Sequence, residues 1–288
     1  MSDSFHARHE TLFDVSRVDR ARVLVIGAGS LGSGVSALLV RSGVRSLRLV
    51  DNDVVEEANL SRTTYLARDL GLPKVDALAR HLREIRPSVE VHAENADLRA
   101  LGDDELSAWI AEADLALALT DSPAVQARVG FLTYHAVPTV FAGVYERGVG
   151  GEVFFTLPGE TPCYECVLGA VRASTPRQGH TNYGVTTGEL ASEPALGVDA
   201  LRVSVAATKI ALGLLLRGTD ARAAALAAPG RTVAFLGNDV DWIWKWPMET
   251  VWAHAERKAD CVCRLRPGES TAVLLDDVDD ADAGGALP

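Results

Sequence analysis

Val23 to Ile26 form a short unbroken apolar run, the pattern of a strand buried on both faces. The run breaks into a glycine-rich turn, and a helical stretch is expected over Gly34 to Arg41. A second strand is expected over Ser46 to Val50, ending at Asp51, so this part reads as a β–α–β unit of about thirty residues. Pro73 suits the first position of a helix in which Val75, Leu78, Leu82 and Ile85 recur at helical spacing, and Pro87 stops it. Further strands are read at Val89 to His92, Leu115 to Leu119 and Thr139 to Ala142, and EVFFTL after Gly150 gives one more. A strongly apolar helix is expected from Asp199, as its N-cap, to about Leu216. Between them the Thr/Gly/Ser-rich residues 172–194 read as a long mobile loop of the kind that often carries function. Trp242, Trp244 and Trp246 alternate as on one face of a strand; packing is the simpler use of such a stripe, a groove for an extended partner the sharper one.

Composition adds limits. The chain has 288 residues, 48% of them hydrophobic and 23% charged, an ordinary globular make-up with room for a substantial core. No run of about 18 apolar residues occurs, so no membrane span is expected. MSDSFHARHETLF lacks a basic region followed by an apolar one, so no signal peptide is read and a cytoplasmic location is expected. The net charge is −11. Five aspartates lie in LLDDVDDADAGGALP, an acidic tail expected to be disordered, but the body is acidic as well, which argues against a large nucleic-acid footprint.

Gly27-Ala28-Gly29-Ser30-Leu31-Gly32 is a GxGxxG turn between strand and helix. Gly27 permits the turn, Gly29 lets backbone approach a phosphate, and Gly32 allows close helix–strand packing. N–H groups at the helix start then face an anion, and Asp51 can accept hydrogen bonds from a ribose. Alone, this signals a nucleotide, with NAD the default. Asp53, Asn59, Arg62 and Lys74 follow at once, and a dinucleotide needs no arginine and lysine there, whereas a triphosphate does. Asp121, after the fourth strand, can hold Mg²⁺ between phosphates; as a plain structural residue it would be a helix N-cap, with Pro123 in the first turn.

All four cysteines fall in two pairs, Cys163/Cys166 and Cys261/Cys263. Close pairs in a cytoplasmic chain favour metal or redox chemistry over disulfides. A CxxC knuckle and a CxC on an extended segment can complete a tetrahedral S₄ site, the preference of structural zinc. A redox pair is disfavoured because Cys163 is read as following a strand and a Thr-Pro turn, not as starting a helix.

The ordered set GAGSLGSG, DND, NLSR, PK, TDSPAVQAR, CYEC and the late cysteine pair resembles the ThiF/MoeB family of adenylating enzymes, relatives of ubiquitin-activating enzymes, over residues 20–265. The resemblance implies an ATP- and Mg²⁺-dependent adenylyltransferase. It acts on the C-terminal carboxylate of a small ubiquitin-like or sulfur-carrier protein and gives acyl-adenylate and pyrophosphate. Carried over, Gly29 and its neighbours cradle phosphate, Asp51 holds ribose, Asn59, Arg62 and Lys74 grip phosphates, and Asp121 takes magnesium. It also implies a homodimer in which an N-terminal arginine, here Arg8, reaches the partner's ATP. Three departures stand out: Ser122 where the family has Asn, CxC in place of the second CxxC, and no cysteine over residues 172–194, where thioester-forming relatives carry theirs. Such a chain activates a carboxylate without carrying it as a thioester.

The expected fold is α/β: a Rossmann-like, mostly parallel sheet flanked by helices, continuing into a mixed or antiparallel C-terminal part with a structural zinc site. Residues 1–20 form an N-terminal arm and 21–268 one adenylation domain, with the nucleotide-binding part at about 21–145, the crossover loop at about 172–195 and the zinc site within 163–263. Residues 269–288 are the acidic tail. Competing readings are adenylation of a ribosomal peptide's C-terminus, activation of a carboxylate on tRNA (weakened by the acidic body), a non-catalytic partner-binding module, and NAD-dependent oxidoreduction.

Overall fold

The computed structural model describes residues 4–174 and 194–264. Eight strands make one sheet: β1 Arg22–Ile26, β2 Ser46–Val50, β3 Glu90–Glu94, β4 Leu115–Ala118, β5 Thr139–Val144, β6 Gly150–Thr156, β7 Val233–Gly237 and β8 Thr250–Ala253. Their order is β3-β2-β1-β4-β5-β6-β7-β8. The first five run parallel, and β6, β7 and β8 each pair antiparallel with the preceding strand. The helices are α1 Val15–Arg20, α2 Ser30–Arg41, α3 Lys74–Ile85, α4 Asp103–Glu112, α5 Pro123–Thr133, α6 Tyr164–Ser174, α7 Gly197–Leu215 and α8 Ala221–Leu226.

The unbroken apolar strands are explained by cover on both faces. Val23 and Val25 of β1 join Leu47 and Leu49 of β2 in a core closed by α2, α3 and α7. Leu24 and Ile26 point the other way, into a core closed by α4, α5 and α6. Each fully buried Leu or Ile contributes about 1.5–3 kcal/mol of transfer free energy, so a one-residue register slip of β1 would exchange two complete sets of such contacts. No helix among the described residues is long and apolar enough to cross a membrane.

Several boundaries shift. α2 starts at Ser30, directly on the glycine turn, because Gly29 already occupies the N-cap; periodicity alone had it beginning at Gly34. Pro73 is the N-cap residue of α3, one position before the helix. Asp199 is the third residue of α7, not its cap: its carboxylate accepts the Leu196 N–H at 3.2 Å. Residues 172–174 close α6, while 175–193 of the expected loop and the tail at 269–288 lie outside the described residues.

The tryptophans do not lie on a strand. They occupy turns between β7 and β8, where Trp242 has φ +49° and Met248 φ +65°. Trp244 is buried over Gly150 and Gly237, whose missing side chains leave the room for its ring, and its Nε1–H donates to the Phe235 carbonyl at 3.3 Å. Arg202 of α7 holds the same connection through the Met248 and Glu249 carbonyls, at 2.7 and 3.0 Å. Trp246, 71% exposed, has no part in this packing. Trp244→Ala is therefore expected to cost about 3–5 kcal/mol in urea unfolding, and Trp246→Ala to stay within about 0.5 kcal/mol of the parent.

Candidate functional site

The strand order reverses between β1 and β4, and in an open parallel sheet ligands bind at the carboxyl ends beside such a switch. Gly27 leaves β1 there with φ +96°, its N–H donating to the Val50 carbonyl at 2.9 Å. A Cβ on Gly27 would stand 2.9 Å from the Leu119 carbonyl group and the Thr120 nitrogen. The turn after β1 therefore presses directly on the end of β4, two residues before Asp121. A Cβ on Gly32 would overlap the Gly27 carbonyl, so α2 can begin this close to the strand only on glycine. Gly29 differs from both, because nothing lies within 4 Å of the position its Cβ would take. It faces open space at the start of α2, where the first-turn N–H groups have no intrahelical acceptors.

Asp51 follows β2 and is partly buried. Its Oδ2 accepts the Ala28 N–H at 2.6 Å and its Oδ1 the Asp53 N–H at 2.8 Å. A carboxylate offers about four lone pairs, so capacity remains for ribose hydroxyls. Burial pushes this carboxyl above the ordinary aspartate range, opposed by the Ala28 N–H and the Lys74 ammonium. Lys74 opens α3 with its Nζ 2.6 Å from Asp53 Oδ2, and its own N–H donates to the Asp53 carbonyl at 2.9 Å. The lysine is thus buried beside the turn with a counter-ion that is itself exposed. Asn59 spends its Oδ1 on the Glu56 N–H at 2.9 Å, capping a short 3₁₀ helix, Glu57–Ser61, that Arg62 terminates. Gly197 at the start of α7 packs on Ser61 and Arg62, so the longest helix braces that segment from behind.

Asp121 is exposed and, among the described residues, no hydrogen bond holds its carboxylate. The N-cap of α5 is Ser122, whose Oγ accepts the Val125 N–H at 3.4 Å, so capping does not occupy Asp121. Gln126 fixes the loop from inside, donating to the Thr120 carbonyl at 2.7 Å and the Ala142 carbonyl at 3.4 Å. Sequence reasoning missed Gln126; its only signal was a polar residue inside TDSPAVQAR. Arg8 does not join this group. Its segment packs by His6 against Gly43, beyond the C-terminal end of α2, with about 18 Å of helix between it and the glycine turn of the same chain.

The four cysteine sulfurs converge, all within 4.8 Å of one another. Cys163 and Cys261 approach to 3.4 Å, and Cys166 and Cys263 to 3.7 Å. A tetrahedron with metal–sulfur bonds of ~2.3 Å has edges of about 3.8 Å, so the spacing fits one metal ion. The backbone N–H of Lys258 donates to Cys166 Sγ at 3.3 Å. Two local expectations fail. Cys163 immediately precedes α6 and Cys166 lies in its first turn, while Cys263 lies in a 3₁₀ turn, Val262–Arg264, not on an extended segment. A helix start therefore does not argue against redox use; the four-fold convergence does. Burial pushes the Cys163 thiol far above its usual range, the opposite of an activated nucleophile.

The ThiF family model matches residues 9–235. The chain belongs to the ThiF family. Over 148 residues it is 36% identical to the molybdopterin-synthase adenylyltransferase of Escherichia coli (strain K12), covering 51% of this chain and 58% of that protein. Over 165 residues it is 32% identical to ubiquitin-like modifier-activating enzyme 5 of Drosophila willistoni, covering 53% of this chain and 40% of that one. The matches thus span about half the length of these relatives. In fold, this ThiF-family chain is similar to E. coli MccB solved with ATP (TM-score 0.68, 18% identity, 87% of this chain and 69% of that one). It is also similar to PaaA (TM-score 0.63, 15% identity, 83% and 74%). Within the glycine turn the three positions carry different constraints. Gly32→Ala is expected to lower unfolding free energy by about 3 kcal/mol or more through overlap with Gly27, and Gly29→Ala, which meets nothing, by less than about 1 kcal/mol.

Proposed function

We propose that this chain adenylates a C-terminal carboxylate at the expense of ATP. What supports the reading is the open position of Gly29 at the start of α2, with Lys74 paired to Asp53 at the start of α3 and Asp121 exposed just after β4, in a member of the ThiF family. One oxygen of the incoming carboxylate attacks the α-phosphorus as the bond from that phosphorus to the bridging oxygen breaks. Pyrophosphate leaves with the electron pair. No proton has to move, because a carboxylate is already nucleophilic at neutral pH, so the protein's work is positioning and charge stabilisation.

In this reading the N–H groups around Gly29 cradle phosphate, and Asp51 takes the ribose on the lone pairs its backbone bonds leave over. Arg62 and Lys74 neutralise the charge that grows on pyrophosphate, Asp53 serves as the resting counter-ion of Lys74, and Asn59 keeps the Arg62 segment in place. Asp121 would hold Mg²⁺, which supplies positive charge between the phosphates when bound; its exposed carboxylate fits that task. Arg8, distant from its own glycine turn, serves only in trans, in a homodimer. Cys163, Cys166, Cys261 and Cys263 would hold one structural zinc, for which the sulfur spacing is the support. With every cysteine in that cluster, none is left for a thioester, and the acyl-adenylate passes to an acceptor outside this chain. The substrate read for it is a small ubiquitin-like or sulfur-carrier protein.

ATP–pyrophosphate exchange with a Gly-Gly-ended carrier protein and with a synthetic peptide as separate arms tests the reaction and its substrate together. Exchange with the carrier is expected, and Asp121→Ala should lower it about 10²–10³-fold. Undiminished exchange in that variant would remove Asp121 from the mechanism, exchange with the peptide alone would move the reading to peptide modification, and no MgATP binding by calorimetry would leave a non-catalytic binding module.

Metal analysis of protein purified without chelator is a separate check. About one zinc per chain is expected, lost in Cys163→Ser together with a fall in thermal stability. Zinc-free parent protein of full stability would refute the structural-metal role.

A further inference from the structure

Tyr65 lies between Arg62 and Lys74 in the chain and is 3% exposed. Its hydroxyl donates to the Ala28 carbonyl at 2.6 Å and lies 3.2 Å from the Lys74 carbonyl. One phenol thus touches both the glycine turn and the first residue of α3, and it belongs to the segment that carries Arg62. The neighbouring Thr64 N–H reaches Ser33 Oγ of α2 at 3.3 Å, a second tie between that segment and the helix start. Resting on the adenylation reading above, we propose that Tyr65 is a positioning residue of the nucleotide site, setting the glycine turn, Arg62 and Lys74 at one separation for a polyphosphate.

The peptide geometry says how. In a planar trans peptide the C=O and the following N–H point in opposite directions. Tyr65 draws the Ala28 C=O toward its own hydroxyl, which turns the Gly29 N–H of the same peptide the other way, away from the phenol. Asp51 holds the preceding peptide through the Ala28 N–H. Two successive peptide planes of the turn are therefore fixed, one by a carboxylate and one by a phenol, before any anion arrives. Without the hydroxyl the buried Ala28 carbonyl has no side-chain donor among the described residues, and the second plane loses this restraint. An anion would then have to order the turn as it binds, which weakens affinity without changing any group that touches it. The ring is backed by His81, centroids 6.2 Å apart, whose Nε2 lies 2.9 Å from the buried Asp69. Burial and the nearby Asp51, Asp69 and Asp53 push the phenol far above its usual range, so it stays a donor at any working pH.

Tyr65→Phe removes one oxygen and keeps the ring contacts. Calorimetric titration of parent and variant with MgATP and, separately, with adenosine reads the proposed role. MgATP affinity is expected to fall about tenfold in the variant, as for loss of one hydrogen bond on a buried acceptor, with adenosine affinity within about twofold of the parent. In exchange assays the KM for MgATP should rise while kcat changes less. Equal MgATP affinity in both proteins, or parallel weakening of MgATP and adenosine, would overturn the positioning role while leaving adenylation standing. A parent that binds no MgATP would overturn both. Should Tyr65→Phe fold poorly, Ser33→Ala, which removes the Thr64 tie, supplies the second measurement: selective loss of MgATP affinity supports the brace, and unchanged affinity counts against it.

Discussion

α2 can start where it does only because two glycines touch. Any side chain at position 32 would overlap the carbonyl of Gly27, and any at position 27 would strike the end of β4. That double contact brings the N-terminus of a twelve-residue helix, with its unpaired N–H groups and partial positive charge, directly onto the carboxyl edge of the sheet. Everything assigned to the nucleotide depends on it. Asp51 reaches the turn because β2 ends beside β1 in register, Ile26 opposite Val50, and Asp121 arrives because β4 ends on the other side, Ile26 opposite Ala118. Were α2 held even one turn further out, its N–H groups would lie about 5.4 Å from where the other groups converge.

The partial positive charge at the start of α2 is in place without any ligand, and the surrounding polar groups show how the fold accommodates it. Lys74 is buried against Asp53, Asp51 is spent on two backbone N–H groups, and Asn59 caps its own 3₁₀ turn. Each of these groups thus has a local partner, and the carboxylates of Asp51 and Asp53 keep lone pairs beyond the bonds they make. Asp53 is 63% exposed, so its exchange for a phosphate oxygen at Lys74 costs little desolvation. Rigidity comes from the backbone and polarity stays exchangeable.

Much of this was legible in the sequence, and the reason differs by residue. The turn-forming and packing roles of Gly27 and Gly32 could be read because each answers a different steric demand, and Lys74 and Asp121 could be located by their order in the chain, one at the start of α3 and the other just after β4. The cysteine spacing was legible as ligand chemistry, but the local backbone was not: CxxC is compatible with a knuckle or a first helical turn, and the chain takes the latter. Three alternating tryptophans match a strand's period equally well in a turn with left-handed residues, since three positions cannot separate the two. Asp199 marks its helix correctly but from the third position, because a carboxylate there reaches back to the same end that a cap would serve. Tyr65 carried no signal, and Gln126 none beyond being a polar residue inside TDSPAVQAR. Their partners are backbone carbonyls, which carry no sequence signature, and in the case of Tyr65 the first lies 37 residues away.

The cysteine cluster governs the other end of the chain by a different physics. Beyond β8 only Ala255 and Cys263 are buried among the described residues with assigned burial, so apolar contacts alone hold this segment poorly. Cys261 nevertheless meets Cys163 across 98 residues of chain. Fixing a loop of that length by a cross-link removes on the order of 4–5 kcal/mol of chain entropy from the unfolded state in the loop-closure treatment, more than the two buried residues supply. A metal held by the four cysteines, as proposed, would do for the C-terminal segment what Gly27 and Gly32 do for the turn after β1, by bond formation where close packing is not available. It would also anchor α6 at its first turn, and α6 leads into residues 175–193. With a metal bound as proposed, the same four sulfurs would be withdrawn from covalent catalysis, and an acyl group activated under the proposed function would leave as the adenylate.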